Sequence, residues 1–474
     1  MNRLLVIDIP GLAKDHLEHM PHLSKLANSG SIRTLEVKPP AVTCSVQSTF
    51  LTGKTPAEHG VVANGWFFRD TNEVSFWHQS NALVSGEKVW EAARKKDSSF
   101  TCANMFWWFN MYSSVDYSVT PRPIYAADGR KIPDCYTEPS QLRNELTNRF
   151  GAFPLFKFWG PAADIDSTRW IRKAAQYVME KYDPTLTLVY LPHLDYNLQR
   201  LGPNNPAILQ DLQAVDDECS FLIEEAQKKG QQLLVLSEYT ITETTRPIHI
   251  NRVLRKKGRE RGWLRVREEQ GREMADVGAS SAFAVCDHQI AHIYVPDSKL
   301  LDEVKKTVEA IPGVERVLDK KAQKKEGLDH ERSGELVALS QPDSWFTYYY
   351  WLDDKKAPDY ARTVDIHRKP GYDPVELFID PKIRFPMLSI AWRILKKKLG
   401  FRTLMDVISL DATLVRGSHG RVADSPEKSP VIISSEKNTF SSKPDHEKIH
   451  ATKVKSLMLK MIFSKLPFLD KTGF

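Results

Sequence analysis

Short runs of consecutive apolar residues alternate along the chain with longer segments in which apolar residues recur every three or four positions. The short runs occupy residues 3–8, 186–191, 233–236 and 430–434. Runs of this kind are typical of strands buried on both faces of a parallel sheet, and the longer segments are typical of amphipathic helices. The alternation predicts an α/β fold in which a largely parallel, mixed sheet is sandwiched between helices.

The helices are predicted from their ends as well as from their periodicity. Pro21 fits a first helical position and Gly30 a C-cap. The longest predicted helix, residues 206–229, carries a single apolar stripe. Further helices are predicted at residues 87–96, 168–182, 300–311 and 451–463. Residues 126–170 are rich in Pro, Gly and Asp and predict long loops.

Residues 37–66 combine a strand end, a helix start and several polar residues. Two prolines stop the strand that ends near Val37, and an apolar-periodic run then leads from Thr43 to Gly53. Thr43 therefore stands where a helix begins, and the unpaired backbone N–H groups there favour an anion such as phosphate. The local pattern alone is also explained if Thr43 is simply the N-cap.

The wider spacing of this segment carries a family resemblance. Thr43 is followed by Thr52-Gly53, Pro56, His59-Gly60 and Asn64. This order resembles the nucleophile segment of the type I phosphodiesterase/nucleotide pyrophosphatase family, in the alkaline phosphatase superfamily. The resemblance implies that Thr43 binds a metal and attacks phosphorus, while Asn64 and the backbone N–H of Cys44 hold phosphoryl oxygens. The Pro-Asn-His run usual in the family is replaced here by Ser45-Val46-Gln47.

The same resemblance assigns metal ligands near the ends of the predicted strands. Asp8 ends the first strand, Asp195 follows the strand of residues 186–191, and Glu238 follows the strand of residues 233–236. In an open α/β sheet, ligands bind at the carboxyl ends of the strands. We therefore expect the three carboxylates to meet at one edge of the sheet.

Two histidine ligands of the family are absent at their expected positions. Gln199 and Tyr239 stand there instead, and both are retained as candidate ligands. His419, in the run Arg416–Gly420, matches the last histidine of the family, and His367 competes with it for that role. Other histidines could complete a site, although each is more commonly structural: His193, His249, His288, His292 and His330.

Residues 240–345 have no strict counterpart in the family pattern and are predicted to form an inserted cap. Residues 1–239 and 346–474 then form the alkaline-phosphatase-like catalytic core. The insert is predicted to contain a basic helical segment at residues 250–275 and strands at residues 292–295 and 314–318, and an aromatic strand at residues 345–351 follows it.

The function implied by the resemblance is metal-dependent phosphohydrolysis, most directly by a phosphodiesterase or nucleotide pyrophosphatase that forms a phospho-threonine. Two divalent cations are implied, Zn²⁺ and/or Mn²⁺ with Mg²⁺ as an alternative. Asp8, Glu238 and Thr43 would hold the first, and Asp195 and His419 the second. Other possibilities stay open: a phosphonate hydrolase or phosphomutase of the same superfamily, and a degenerate, non-catalytic protein that binds phosphate esters.

Composition and charge narrow the partners and the location. The 474 residues carry a net charge of +6, which is small for this length, so we expect a small phosphate-ester substrate and no nucleic acid. The five cysteines are widely spaced and suggest neither disulfides nor a zinc site, which favours a cytoplasmic location. No apolar run reaches the length of a membrane helix. The oligomeric state is left open by these patterns.

Two apolar stretches have more than one interpretation. The aromatic run of residues 106–109 could line a substrate pocket or fill the core. The basic, apolar stretch of residues 457–468 could touch a membrane surface or pack on the core. Core packing is the favoured interpretation for both stretches.

Overall fold

A nine-stranded sheet forms the centre of the computed structural model, which describes residues 1–127, 129–258, 262–440 and 448–464. The strands are β1 (Leu4–Asp8), β2 (Ser31–Glu36), β3 (Cys102–Met105), β4 (Tyr117–Pro121), β5 (Cys135–Glu138), β6 (Leu186–Tyr190), β7 (Gln232–Leu236), β8 (Val431–Ser434) and β9 (Ile449–His450). Their order across the sheet is β9-β2-β8-β7-β1-β6-β3-β4-β5. The five strands from β7 to β4 run parallel, and β8 and β5 run antiparallel to their neighbours.

Helices flank this sheet. They are α1 (Pro21–Ser29), α2 (Thr43–Thr52), α3 (Pro56–His59), α4 (Val89–Lys96), α5 (Gln141–Phe150), α6 (Leu155–Phe158), α7 (Ile165–Tyr182), α8 (His193–Leu201), α9 (Ile208–Lys228), α10 (Ile250–Lys256), α11 (Leu301–Glu309), α12 (Lys320–Glu326), α13 (Pro386–Lys398) and α14 (Val454–Phe463). One group packs around α9 and includes α1, α7 and α8, and another joins α14 to α2 and α4.

The apolar runs form buried strands, as predicted. Every residue of β1, β6, β7 and β8 is buried, which explains why these strands are apolar without alternation. Helix α14 buries Val454, Met458 and Ile462, so the apolar stretch that begins near Leu457 packs on the core as far as it is described. Its end, residues 465–468, lies outside the described residues. No helix in the described ranges is long and apolar enough to cross a bilayer.

A second hydrophobic cluster lies in the insert around a four-stranded antiparallel sheet. Its strands are Phe283–Asp287, Ile290–Tyr294, Val314–Leu318 and Leu336–Ser340. The cluster continues beyond the insert through Trp345–Trp351 to Val415. The boundary predicted at residue 345 therefore falls inside one continuous apolar cluster, and the domain division stays a prediction.

Short strand pairs complete the structure. They join Gly65–Phe68 to Glu73–Phe76, Ile124–Tyr125 to Lys131–Ile132, Thr242–Glu243 to Gly417–Ser418, Arg246–Ile248 to Ser344–Phe346, and Arg265–Glu269 to Arg272–Asp276.

Three local predictions were wrong. Residues 250–275 contain α10 and then a hairpin, because Gln270-Gly271 forms a two-residue turn with positive φ at both positions. Residues 126–170 contain β5, α5, α6 and the start of α7, because the Pro, Gly and Asp residues fall mostly between these elements and at their ends. Of the aromatic stretch 345–351, only its first two residues belong to a strand.

Candidate active site

Three adjacent parallel strands position the acidic residues. In the sheet register Asp8 pairs with Leu236 on one side and Tyr190 on the other, so the segments after β1, β7 and β6 leave the sheet together. Glu238 lies two residues after β7. Asp195 does not end a strand; it lies in the first turn of α8, a helix that the sequence pattern did not predict.

Thr43 is the first residue of α2, and the N-cap is Val42, whose apolar side chain makes no capping hydrogen bond. The interpretation of Thr43 as an N-cap is therefore wrong. Its side chain is buried, and Oγ1 lies 3.2 Å from the hydroxyl of Tyr239. Gly53 ends the helix with a φ of +69°, as the sequence predicted. The nucleophile candidate is thus held at the start of a short helix by local chain geometry.

The first acidic pair, Asp8 and Glu238, has carboxylate oxygens that lack hydrogen-bond partners. Oδ1 of Asp8 and both oxygens of Glu238 are buried and accept no hydrogen bond of good geometry, although the two carboxyl groups lie beside each other and Gln47 and Thr43 lie close to Glu238. Asp8 Oδ2 accepts one bond, from Nε2 of Gln47 at 3.0 Å. Burial raises the pKa of Asp8 to about 7. Burial, with the neighbouring charge of Asp8, raises the pKa of Glu238 well above its ordinary value.

Asp195 differs because both of its carboxylate oxygens accept hydrogen bonds. Oδ1 accepts from the Tyr239 hydroxyl at 3.1 Å, and Oδ2 accepts from Gln199 Nε2 at 2.6 Å. Tyr372 in turn donates to Gln199 Oε1 at 3.0 Å. Because the Tyr239 hydroxyl donates its one hydrogen to Asp195, we infer that it accepts the hydrogen bond from the Thr43 hydroxyl. The result is a directed chain from Thr43 through Tyr239 to Asp195. Burial raises the pKa of Asp195 to about 7.

His419 is the histidine that reaches this chain. Its Nδ1 donates to the Ala41 carbonyl at 2.8 Å, which leaves Nε2 unprotonated at 3.8 Å from Asp195 Oδ1. The imidazole stacks on Tyr239 with ring centroids 3.5 Å apart, and burial lowers its pKa to about 3. His367 lies elsewhere on the cavity wall, with Nδ1 3.3 Å from the Phe76 carbonyl.

Asp287, from the insert, is a site residue that sequence reasoning missed. It accepts from the backbone N–H of Asn64 at 2.7 Å and from Asn64 Nδ2 at 3.1 Å. Asn64 Oδ1 accepts the backbone N–H of Cys44 at 2.9 Å, so that N–H is already engaged and does not point freely at a ligand. Asn64 is therefore clamped, with the second N–H of its amide free of these bonds.

His288 follows Asp287 in the two-residue turn of a hairpin, with a φ of +59°. This backbone region is unusual for histidine and is often found at functional positions. The imidazole lies between the rings of Tyr372 and His419, with centroids at 3.7 and 3.6 Å. The sequence shows two apolar runs separated by a short polar turn, which indicates a hairpin at His288. It does not show that this hairpin packs against Asn64 and His419.

The remaining candidate histidines make structural contacts. His193 pairs with Asp211, His249 contacts Thr347, His292 contacts the Val62 carbonyl, and His330 accepts the backbone N–H of Arg332.

Four buried carboxyl groups thus gather in one site: Asp8, Asp195, Glu238 and Asp287. In the part of the chain that is described, none of them forms an ion pair with lysine or arginine. Burial raises the pKa of Asp287 to about 7 as well. Such a site needs either protons or a bound cation to offset the cost of burying negative charge.

The two halves of the site differ in their fit to a divalent cation. Around Asp8, Glu238 and Thr43, three of the four carboxylate oxygens have no hydrogen-bond donor and Gln47 donates to the fourth, which fits a hard cation such as Mg²⁺ or Mn²⁺. Asp195, Gln199, Tyr239 and His419 do not fit a second cation as arranged, because donors already occupy both Asp195 oxygens. No group of three His, Cys, Asp or Glu side chains suited to a metal occurs among the described residues, and in the first half Asp8 and Glu238 are two carboxylates supplemented by a hydroxyl.

A cavity of about 1160 Å³ opens onto part of this site, whereas Asp8 and Glu238 are not among its lining residues. Thr43, Asp195, Tyr239, His288 and His419 line one end. The remaining wall is mainly aromatic and apolar but also includes basic residues such as Arg122, Lys131 and Lys397, and from the insert only His288 is among the lining residues. The 106–109 run contributes Trp108 to this wall, and the other three residues are buried in the core.

Comparison with known proteins agrees with this architecture. Residues 4–373 match the family described as type I phosphodiesterase / nucleotide pyrophosphatase. No curated protein matches the chain significantly. Among solved structures, murine ectonucleotide pyrophosphatase / phosphodiesterase 5 (ENPP5) is similar, with a TM-score of 0.58 and 14% identity over 97% of this chain and 95% of that one.

Phosphonoacetate hydrolase from Sinorhizobium meliloti 1021, in complex with phosphonoformate, is similar with a TM-score of 0.61 and 13% identity over 97% of this chain and 96% of that one. At these identities the structural likeness shows a common fold. The family match covers well over half of the sequence, and the chain therefore belongs to the type I phosphodiesterase/nucleotide pyrophosphatase family, whose members are hydrolases that act on phosphoric ester bonds.

Proposed function

We propose that the protein is a phosphodiesterase that uses Thr43 as its nucleophile and one divalent cation at Asp8 and Glu238. The observation that carries this proposal is the position of Thr43 Oγ1, which lies at a helix start on the wall of a large cavity and at the head of a hydrogen-bond chain to a buried carboxylate.

The chain of hydrogen bonds activates the hydroxyl. As Oγ1 of Thr43 attacks phosphorus, its proton passes to Tyr239, and the proton of Tyr239 passes to Asp195. The ester oxygen of the leaving group departs, and water later cleaves the phospho-threonine and restores the hydroxyl. A base with a pKa near the working pH is well suited to such a transfer.

Other residues bind and orient the phosphoryl group. The free N–H of the Asn64 amide donates to a phosphoryl oxygen, and Asp287 holds the amide in position through two hydrogen bonds. Asp8 and Glu238 would hold a divalent cation, which would supply positive charge near the phosphoryl oxygens and would lower the pKa of the Thr43 hydroxyl. Gln47 orients Asp8 for that role.

Similar proteins support this chemistry. A variant of murine ENPP5 in which one threonine is replaced by alanine is inactive and was solved with AMP. The enzyme from Sinorhizobium meliloti binds phosphonoacetate with the same fold. We prefer a diester to a monoester or phosphonate because a neutral amide, rather than a cation, faces the phosphoryl group at Asn64. We also retain the cytoplasmic location expected from the cysteines.

The experiment compares Thr43→Ala and Thr43→Ser with the parent on p-nitrophenyl diesters, monoesters and phosphonoacetate. Thr43→Ala should lower diester turnover by at least about a thousandfold, because the covalent step is lost. Thr43→Ser should retain measurable turnover and form a covalent phosphoryl-enzyme detectable by mass spectrometry. Thr43→Ala turnover within tenfold of the parent would contradict the assignment, and a clear preference for monoester or phosphonate would contradict the substrate class.

A further inference from the structure

Helix α13 is unusual because none of its thirteen residues is buried. Its composition is nevertheless apolar. A soluble helix normally buries its apolar face, as α14 does with Val454, Met458 and Ile462. An apolar helix left this exposed marks an interaction surface.

Several of the exposed apolar residues form a stripe along one side of this helix, and Met387 and Ile394 are exposed on the other side. Leu388, Trp392, Leu395 and Leu399 recur at spacings of four and three, and Phe385 precedes them by three positions. Leu388 is 69% exposed and Leu399 65% exposed. Residues at these spacings lie on the same face of a helix, so the stripe is continuous over almost three turns.

The charge of this segment is of a single sign. Residues 382–405 contain seven Lys or Arg residues and no Asp or Glu. Of these, Arg393 pairs with Asp406, whereas Lys396–Lys398 follow the stripe at the end of the helix. An apolar face with Trp and Leu, flanked by cations, matches the interface of an anionic bilayer in both polarity and charge.

The opposite side of the helix borders the catalytic cavity. Met387, Ile390, Ile394 and Lys397 line the same space as Thr43. The helix therefore separates the exposed stripe from a largely apolar chamber that ends at the nucleophile. A volume of about 1160 Å³ exceeds what most small-molecule pockets enclose.

A neighbouring hairpin extends this surface. Ile124 and Tyr125 are exposed, and Lys131 lies on the paired strand. Arg402 donates to the Ala127 carbonyl at 3.0 Å, which ties the hairpin to the segment after α13. The rim of the cavity thus carries exposed apolar residues on two adjacent segments.

We propose that α13 docks on an anionic lipid bilayer and that the substrate is a lipid phosphodiester, whose hydrocarbon chain occupies the cavity while its phosphate reaches Thr43. This inference rests on the proposed function and names its substrate class. The apolar stripe of α13 inserts into the surface of the bilayer, and the basic residues contact anionic headgroups. The hydrocarbon chain of the substrate enters the cavity along the inner side of α13.

The docking surface is tested with full-length protein on vesicles of phosphatidylcholine, with and without phosphatidylglycerol. We expect binding to the anionic vesicles that weakens as salt is raised. Leu388→Glu/Trp392→Glu should lower binding at least about tenfold, whereas Leu209→Glu, at an exposed apolar position on α9, should not. Absence of vesicle binding, or a stripe covered by a second copy of the chain in size-exclusion measurements, would overturn the proposal.

The substrate class is tested with methyl p-nitrophenyl phosphate and dodecyl p-nitrophenyl phosphate, the latter below its micelle concentration. The dodecyl ester should have a kcat/KM at least about a hundredfold higher, since each buried methylene contributes roughly a factor of four. Equal values would overturn the lipid assignment and leave the proposed phosphodiesterase standing. Failure on both esters would instead refute the proposed function. The double glutamate variant should retain methyl ester activity, which also shows that it is folded.

Discussion

The two acidic halves of the site share burial but differ in what satisfies their oxygens. Around Asp8 and Glu238, three carboxylate oxygens have no hydrogen-bond partner. Around Asp195, Tyr239 and Gln199 donate to both oxygens. In the first half a cation is the natural partner, whereas in the second the protein has supplied its own donors.

This comparison shows how two substitutions change the use of a carboxylate. Imidazole at positions 199 and 239 would offer lone pairs to a metal, whereas an amide N–H and a phenol O–H point at Asp195 instead. Tyr239, which stands where the family resemblance implies a metal ligand, instead links Thr43 to Asp195. The second predicted cation accordingly remains a prediction that the present donors do not favour.

The largest expected effect comes from the first half of the site. Asp8→Asn should lower diester turnover by at least about a thousandfold and weaken Mn²⁺ binding by at least about a hundredfold, because one of two cation-binding carboxylates is lost. Asp195→Asn serves as the matched variant and should leave Mn²⁺ binding within about threefold of the parent. Calorimetric titration with Mn²⁺ measures both, and equal losses would abolish the distinction between the two halves.

A smaller effect is expected from breaking the hydrogen-bond chain. Tyr239→Phe keeps the ring stack on His419 but removes the hydroxyl between Thr43 and Asp195. Turnover should fall about a hundredfold, the lower end of the range expected for loss of a proton-transfer group, with KM nearly unchanged. The pH profile of kcat should also lose its dependence on the Asp195 base. A variant with parental kcat and pH profile would show that Thr43 is activated by another route.

The activity regained with different cations should differ by a still smaller factor. An oxygen-only set at Asp8, Glu238 and Thr43 suits Mn²⁺ or Mg²⁺ better than Zn²⁺. Chelated protein should therefore regain several-fold more activity with Mn²⁺ than with Zn²⁺ alone. Gln199→His restores an imidazole beside Asp195 and should shift the preference toward Zn²⁺. Protein that purifies with two tightly held zinc ions and does not respond to Mn²⁺ would contradict the assignment.

The last effect concerns the stability of the fold and its pH dependence rather than turnover. Burial raises the pKa of Asp287 from 3.8 to about 7 in the folded protein. Between these values the unfolded chain loses this proton while the folded protein keeps it, so the free energy of unfolding falls as the pH rises. The loss is on the order of 4 kcal/mol at most. Urea titrations should show that the free energy of unfolding falls less between pH 4 and pH 7 for Asp287→Asn than for the parent. An identical fall in both proteins would mean that Asp287 is not buried in this way.

Much of the fold follows from local patterns that survive in any tertiary context. Apolar runs such as Leu4–Asp8 can be satisfied only by burial on both faces, which places them in the middle of a sheet. The end of such a strand then determines where Asp8 and Glu238 lie. The start of α2 places Thr43 near the same edge. These residues could therefore be assigned from the sequence together with the family spacing.

Tertiary structure alone decided the rest of the site. Asp287 and His288 reach Asn64 and His419 because a hairpin of the insert docks there, more than 200 residues after Asn64. The replacement of histidine at positions 199 and 239 is visible in the sequence, but the direction of the resulting hydrogen bonds is not. Whether an apolar helix is buried, as α14 is, or exposed, as α13 is, depends on what the rest of the chain packs against it. Periodicity records the apolar face of a helix, whereas its partner is set by contacts between residues distant in the sequence.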